Sequence, residues 1–324
     1  MIAIMYNFFS LLILFSLAQI SLTHSAMAQT NAQNSVQYPK QILNLSSDQR
    51  IATNALLADK SKRQLSLIDI ESLSNGGAKE QYNIDIGKNN GDKKKKDDSR
   101  TPEGIYRLLM RKSAPEIPFE TYGSLAFTTN YPNYFDKHEN KTGSGIWLHS
   151  VPDEVPLTRG SRGCVVLRNN DIKKIEASII LNKTFLIIDN QINWVSNEEH
   201  LKEKSFALNW FNLWRSQWQE QDLDNYIKNY SDEFSAPPFN KKTWLAHKKK
   251  LKERYSYVKV SAFEPNIIQL KNQYVIQFVQ DYESDGHKDI GIKTLYVLRQ
   301  GDRLKIKREE WAELNNQLNN QLNN

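Results

Sequence analysis

Gly145-Ile146-Trp147-Leu148-His149-Ser150 and, further along, Ser161-Arg162-Gly163-Cys164-Val165-Val166-Leu167 are the two stretches that decide how the rest of the chain is read. The second carries the only cysteine among 324 residues, placed behind a small Ser-Arg-Gly turn, and the first is an apolar run that reaches a histidine. A free thiol has a pKa of about 8.5, so it needs a neighbouring imidazole to take its proton, or to hold the thiolate, before it can attack an acyl carbon at neutral pH. Gly163 lets the backbone turn tightly enough for consecutive amides to face a developing oxyanion. The same residues also have a purely structural reading. A single cysteine is most often a small buried hydrophobe, and Val165-Val166-Leu167 has the pattern of a core strand.

Upstream, Thr101-Pro102-Glu103-Gly104-Ile105-Tyr106 supplies a second motif. Together with the His149-to-Cys164 spacing and the Ser-x-Gly-Cys turn, it resembles the YkuD-type L,D-transpeptidases over roughly residues 50–190. The resemblance implies that Cys164 attacks a peptidoglycan stem peptide at the bond before its terminal D-Ala and forms a thioester. It makes His149 the base, gives the Ser150 carbonyl the other ring proton to accept, and assigns the oxyanion hole to the amides of Gly163 and Cys164. It calls for neither cofactor nor metal. Arg162 stands where the family commonly has His, and Val166 where it commonly has Arg or Asn. Arg162 is therefore a candidate for holding a substrate carboxylate through its planar fork, and Arg168 a candidate replacement for the missing polar group. Ser161 and Tyr131 complete the expected substrate contacts.

The chain opens with a mainly apolar stretch, Ile2 to Leu22, followed by His24-Ser25-Ala26-Met27-Ala28, whose small residues suit a signal peptidase. Residues 1–28 are read as a signal peptide, although no Lys or Arg precedes Lys40. An uncleaved anchor is the alternative, because a span needs about 20 apolar residues. Export would give the cysteine count a meaning: an unpaired thiol is a liability in an oxidising compartment, and keeping one there points to use. The expected location is the periplasm. With a formal charge of +6, a pI near 9.1, 39% hydrophobic and 25% charged residues, the rest reads as globular and long enough for two domains. An exported basic protein meets an anionic wall or membrane surface rather than nucleic acid, unless the charge is merely solubilising.

Residues 29–50 read as an extended N-terminal extension with Tyr38-Pro39 as a docking point. Residues 51–192 form the expected catalytic domain. Within it, Ala55–Asp59 and Gln64–Ile70 make a hairpin, Gln81–Gly87 alternates like a half-wet strand, and Ile105–Met110 and Thr184–Ile188 are further strands. Lys93-Lys94-Lys95-Lys96-Asp97-Asp98 reads as a solvated loop. Phe119, Tyr122, Phe127, Tyr131, Tyr134 and Phe135 form an aromatic insertion that serves either as a lid over a groove or as a satellite core. Asp171–Glu176 is a short helix.

Residues 193–204 read as a polar linker and 205–312 as a second domain, with residues 313–324 a disordered tail. Phe206, Trp210, Leu213, Trp214 and Trp218 recur at helical spacing as a core stripe, a Lys-rich helix follows at Trp244–Tyr255, and strands follow at 257–263, 273–282, 288–298 and 303–311. Helices before a curved antiparallel sheet resemble the NTF2-like fold. The fold class is thus mixed α/β and β-rich: a mainly β YkuD-type domain, then an α+β NTF2-like cone. His247 and His287 lack partners at metal-ligand spacing.

This domain order is similar to that of the cell-shape-determining L,D-carboxypeptidases. The function read from the sequence is an exported cysteine acyl-transfer enzyme whose thioester is resolved by water, as a carboxypeptidase, or by an amine, as a transpeptidase. Its partners are peptidoglycan stem peptides, with no nucleic acid and with a homodimer left open. The competing class is a catalytically silent wall-binding module that works through its C-terminal pocket, for which Cys164 would be dispensable.

Overall fold

A computed structural model describes residues 36–314, so the signal-peptide reading and the tail beyond Leu314 lie outside the described residues. The N-terminal half is built on an eight-stranded sheet. In spatial order its strands are Glu80–Asn83, Gln64–Asp69, Asn54–Asp59, Phe185–Asp189, Gly104–Ser113, Leu125–Thr129, Trp147–Val151 and Val165–Arg168. The first hairpin forms as the alternation requires, with Asn54 opposite Asp69 and Asp59 opposite Gln64. Phe185–Asp189 inserts parallel to it, and its all-apolar Phe-Leu-Ile-Ile run is buried on both faces.

The two edges of this sheet meet. After Glu80–Asn83 the chain crosses to the far edge, where the Asp85 N–H donates to the Val166 carbonyl and the Val166 N–H to the Asp85 carbonyl, both at 2.8 Å. Closure removes two exposed edges and encloses a core of Leu56, Leu65, Tyr106, Phe127, Leu148 and Leu167. The short helix against it spans Asn169–Glu176, two residues earlier than its sequence suggests, and starts without a side-chain cap.

The C-terminal half is NTF2-like in outline. Helices Asn197–Gln219 and Lys241–Arg254 precede long antiparallel strands at Gln273–Ser284, Lys288–Gln300 and Arg303–Glu313. No linker separates the halves over residues 193–204: Trp194–Ser196 is a strand, and the Ser196 hydroxyl accepts the Glu199 N–H at 3.2 Å to cap a helix that begins at Asn197. The buried stripe of that helix is Ala207, Phe211, Trp214 and Trp218. Phe206 and Trp210 are only partly covered and Leu213 is 55% exposed, because Phe211 rotates the stripe toward the sheet. Asn266–Leu270 is a further strand that the sequence reading passes over.

Ile42–Asn44 lies far from an extended tail in character. It is a fully buried strand that pairs with Asn266–Leu270 and so extends the C-terminal sheet from the N-terminal end of the chain. Its alternation splits two cores: Leu43 enters the Trp214–Phe278 cluster, while Ile42 joins Ala55, Leu57, Phe185 and Ile187 of the first half and Ile268, Val275 and Tyr296 of the second. The halves thus share one continuous apolar core. Tyr38 stacks on His200 with ring centroids 4.8 Å apart. Leu43→Ala is expected to cost about 2–5 kcal/mol, because the cavity opens in a core that cannot collapse. Urea denaturation reads the loss, and an unchanged midpoint would contradict the role given to this strand.

Candidate active site

His149 and Cys164 are delivered by adjacent strands. Leu148 pairs in parallel with Val165 and His149 with Val166, so His149 shares a face with Val166 and, two residues earlier on that strand's path, with Cys164. Strand spacing and rise put the two Cα atoms about 8 Å apart, within reach of facing side chains.

His149 is buried, and its Nδ1 lies 2.7 Å from the Ser150 carbonyl oxygen. A carbonyl only accepts, so Nδ1 carries the proton and the neutral ring keeps its lone pair on Nε2. Burial pushes the imidazole down to about 4 against the Ser150 bond, which opposes the shift, and the Arg159 charge adds to the fall. The Cys164 side chain is partly exposed, and its thiol donates to the Gly145 carbonyl at 3.5 Å. Desolvation raises it to about 11, opposed by the Trp147 backbone N–H and the charges of Arg162 and Lys93. At neutral pH the pair is therefore an uncharged thiol beside an uncharged imidazole.

The turn before the sulfur is tightly built. Gly163 has φ +128°, and a Cβ there would sit 2.6 Å from the Arg100 carbonyl oxygen and 2.9 Å from Ile146 Cδ1, so both conformation and space demand glycine. Its N–H donates to Ser161 Oγ at 3.0 Å, which corrects the expectation that this amide faces an oxyanion. The Cys164 N–H has no acceptor among the described residues. Ser161 in turn donates its hydroxyl to the Cys164 carbonyl at 2.8 Å, so it fastens the turn and is not free for a ligand. Ser150 is wholly buried: its hydroxyl accepts the Leu125 N–H and faces the Tyr122 and Leu125 carbonyls, all at 3.3 Å.

The remaining expected contacts divide. Arg162 is exposed and makes no ion pair or hydrogen bond among the described residues. Arg168 spends its Nη1 on the carbonyls of Asp153 at 3.0 Å and Val155 at 2.6 Å, so it braces the loop before the turn instead of facing a groove. Tyr131 is buried in the barrel core edge-on to Tyr106 and donates to the Thr142 carbonyl at 3.1 Å, so its ring and hydroxyl are both taken up by the core and do not line a groove. Most of the aromatic insertion is likewise core: Phe127 and Phe135 are buried, and Tyr134 packs on Tyr296 of the second half. The lysine block is only partly solvated. Lys93 is buried and paired with Asp98 at 2.7 Å, while Lys94, Lys95 and Lys96 are exposed.

Two groups escaped the sequence reading. Asp85 is a buried carboxylate that accepts Gly160 N–H at 2.7 Å and Ile86 N–H at 2.9 Å and pairs with Arg63. Tyr122 lies edge-on to His149 at 5.1 Å and tilted on Trp147 at 4.8 Å. The second half holds a cavity of about 930 Å³, lined by Trp218, Trp244, Lys248, Lys293 and Glu309, with Arg107 and Asn182 reaching in from the first half. Lys248 is buried there with Nζ 4.1 Å from the Trp218 ring and 4.5 Å from the Trp244 ring, and it has no carboxylate or carbonyl partner among the described residues. Burial and the neighbouring Lys293 charge bring it down to about 7. Lys293, by contrast, is paired with Glu309 at 3.0 Å. Among the described residues no group of His, Cys, Asp and Glu is placed to hold a metal, and no helix is long and apolar enough to cross a membrane.

A His on the strand beside a Cys that follows a glycine turn, on a closed sheet joined to a helix-and-sheet cone, defines a class: a YkuD-type catalytic domain with an NTF2-like companion. The family model of the L,D-transpeptidase catalytic domain, YkuD, matches residues 53–187, and that of the Cds6 C-terminal NTF2-like domain matches residues 207–310. The solved structure of Bd1075 from Bdellovibrio bacteriovorus is 47% identical, covering 86% of this chain and 98% of that one with a TM-score of 0.76. The chain belongs to this two-domain family. The helical cell shape determining protein Pgp2 of Campylobacter jejuni is 26% identical, with 85% of this chain and 94% of that one covered and a TM-score of 0.60. A single-residue variant of Pgp2 gives 25%, 87%, 96% and 0.62 in the same order. No curated protein matches.

The burial of His149 sets a testable pH behaviour. Its folded pKa lies below the unfolded value of about 6.5, so the unfolded chain takes up this proton first, and stability falls as pH drops from about 6.5 through 4. In an NMR titration the His149 ring is expected to stay neutral to a midpoint near 4, and iodoacetamide alkylation of Cys164 to be slow at pH 7 and to quicken toward pH 11. An imidazole midpoint near the unperturbed 6.5 would contradict the buried geometry.

Proposed function

We propose that this chain is an exported acyl-transfer enzyme of peptidoglycan remodelling, working in the periplasm on the bond before the terminal D-Ala of tetrapeptide stems. The observation that carries the reading is the bond from His149 Nδ1 to the Ser150 carbonyl, which leaves the lone pair on Nε2, on a strand paired with the one that begins directly after Cys164. Membership of a family with an L,D-transpeptidase domain supports it, as does likeness to a helical cell shape determining protein.

In this reading Nε2 takes the thiol proton as the sulfur attacks the carbonyl of the third stem residue. The pair starts neutral, with the imidazole lowered to about 4 and the thiol raised to about 11, so the proton moves only in concert with carbon–sulfur bond formation. The Cys164 N–H faces the oxyanion, the imidazolium returns its proton to the departing D-Ala amine, and a thioester remains on Cys164. Water then releases a tripeptide, or the amine of a second stem forms a cross-link, and the imidazole serves as base again. The unpaired Arg162 is available to a stem carboxylate. Purified protein is expected to convert disaccharide tetrapeptide to tripeptide or to cross-linked dimer, as read by mass spectrometry. Cys164→Ala should abolish this and His149→Ala should slow it by on the order of a thousandfold with the fold kept. Unchanged substrate with the native protein would remove the reading.

The C-terminal cavity favours a second role beside the first, that of holding the wall polymer. Its unpaired Lys248 between two indoles suits an anionic group carried on an apolar or sugar frame. Lys248→Met is expected to weaken sedimentation with purified sacculi about tenfold while leaving turnover of the small disaccharide substrate intact. Equal sedimentation of both proteins would count against the cavity as a wall site.

A further inference from the structure

Around His149 the walls are unequal. The neighbouring strands contribute Ala126 on one side and Val166 on the other, both fixed by sheet pairing and neither able to titrate. A further wall is Tyr122, the last residue of a single helical turn, Phe119–Tyr122, that sits outside the sheet. Its ring meets the imidazole edge-on at 5.1 Å and leans on Trp147 at 4.8 Å. Trp147 and His149 stand on the same face of their strand, two residues apart, so the three rings form one continuous surface beside the sulfur.

The helical turn is locked to the strand that carries the histidine. Ser150 Oγ lies 3.3 Å from the Tyr122 carbonyl, and the Ser124 N–H donates to Asn169 Oδ1 at 2.8 Å. Gly123, at φ +62°, passes so close that a Cβ would stand 2.4 Å from Ser150 Oγ. The Tyr122 hydroxyl has no partner among the described residues, so what is held in place is the ring and not its polar tip.

We propose that Tyr122 is a positioning residue for the base: its ring shuts His149 off from bulk water and holds the imidazole in the orientation that keeps Nδ1 on the Ser150 carbonyl. Without the ring, water reaches the imidazole, its cationic form regains hydration, and the ring is free to turn from Cys164. The other charge that bears on this proton is Arg159 from the loop before the turn, which disfavours the cation, while Arg162 and Lys93 act on the Cys164 thiol. None of these is removed by changing Tyr122. The inference rests on the reading of His149 as the base, but its first test does not require turnover.

The test is an NMR titration of the full chain carrying labelled histidine, with Tyr122→Phe, Tyr122→Leu and Tyr122→Ala beside the native protein. Tyr122→Phe is expected to keep the native midpoint, since the hydroxyl is idle. Tyr122→Ala should raise it by about one pH unit or more, with Tyr122→Leu between. The acid limb of tripeptide or dimer formation should move by the same amount, which a merely destabilised variant would not show. If the alanine variant does not fold, the leucine variant carries the comparison. A folded alanine or leucine variant with the native midpoint overturns the inference while leaving the enzyme reading intact. A midpoint moved in the alanine or leucine variant, together with a native protein that turns over no stem peptide, upholds the role of the Tyr122 ring and sinks the enzyme reading.

Discussion

The carboxylate of Asp85 is where the architecture of the candidate site converges. Its backbone exchanges two hydrogen bonds with Val166 and so closes the barrel next to Cys164, while its side chain takes the Gly160 N–H of the loop that leads into the turn and pairs with Arg63 of the first hairpin. A buried charge is tolerated only when it is paired and hydrogen-bonded, and here every partner is a piece of the frame. Remove it and three segments lose a common anchor. The position of Cys164 relative to His149 is thus set from both sides of one strand: by parallel pairing with Trp147–Val151 and by the bridge to Asp85.

What could be read from the sequence followed the range of the interactions. His149, Cys164 and Gly163 announce themselves because the motif is local: two short strands, one positive-φ turn and a tautomer set by the very next carbonyl. Ser161 and Arg168 have the residue types of ligand contacts, yet their polar atoms close hydrogen bonds within a dozen or so residues that only the folded loop reveals. Tyr131 and Tyr122 belong to one aromatic-rich insertion. Which of them faces the histidine depends on Gly123 and on Ser150, so composition alone favours neither.

The hidden half of the fold is nonlocal. Ile42–Asn44 looks like part of a polar leader until its partner, Asn266–Leu270, is known, and Lys93 looks solvated until Asp98 folds back on it. Because Ile42 and Leu43 point into different cores, this strand joins halves that the sequence connects only through the polar linker expected at 193–204. The cavity near Lys248 has the same character. Arg107 contacts Glu310 at 2.7 Å across the boundary, so the cavity wall and the barrel strand next to Leu125–Thr129 are mechanically one piece.

That early strand carries a consequence for how the molecule is made. The ribosome releases Ile42–Asn44 long before Asn266–Leu270 exists, so its edge waits unpaired through most of synthesis. Pairings so far apart in sequence close slowly, because the intervening loop must first lose its freedom. A product halted after the barrel would leave Leu43 without its core and the edge of Ile42–Asn44 open to proteases and to other strands. Completion of synthesis is thereby registered at Ile42–Asn44, and a nascent fragment advertises itself as unfinished.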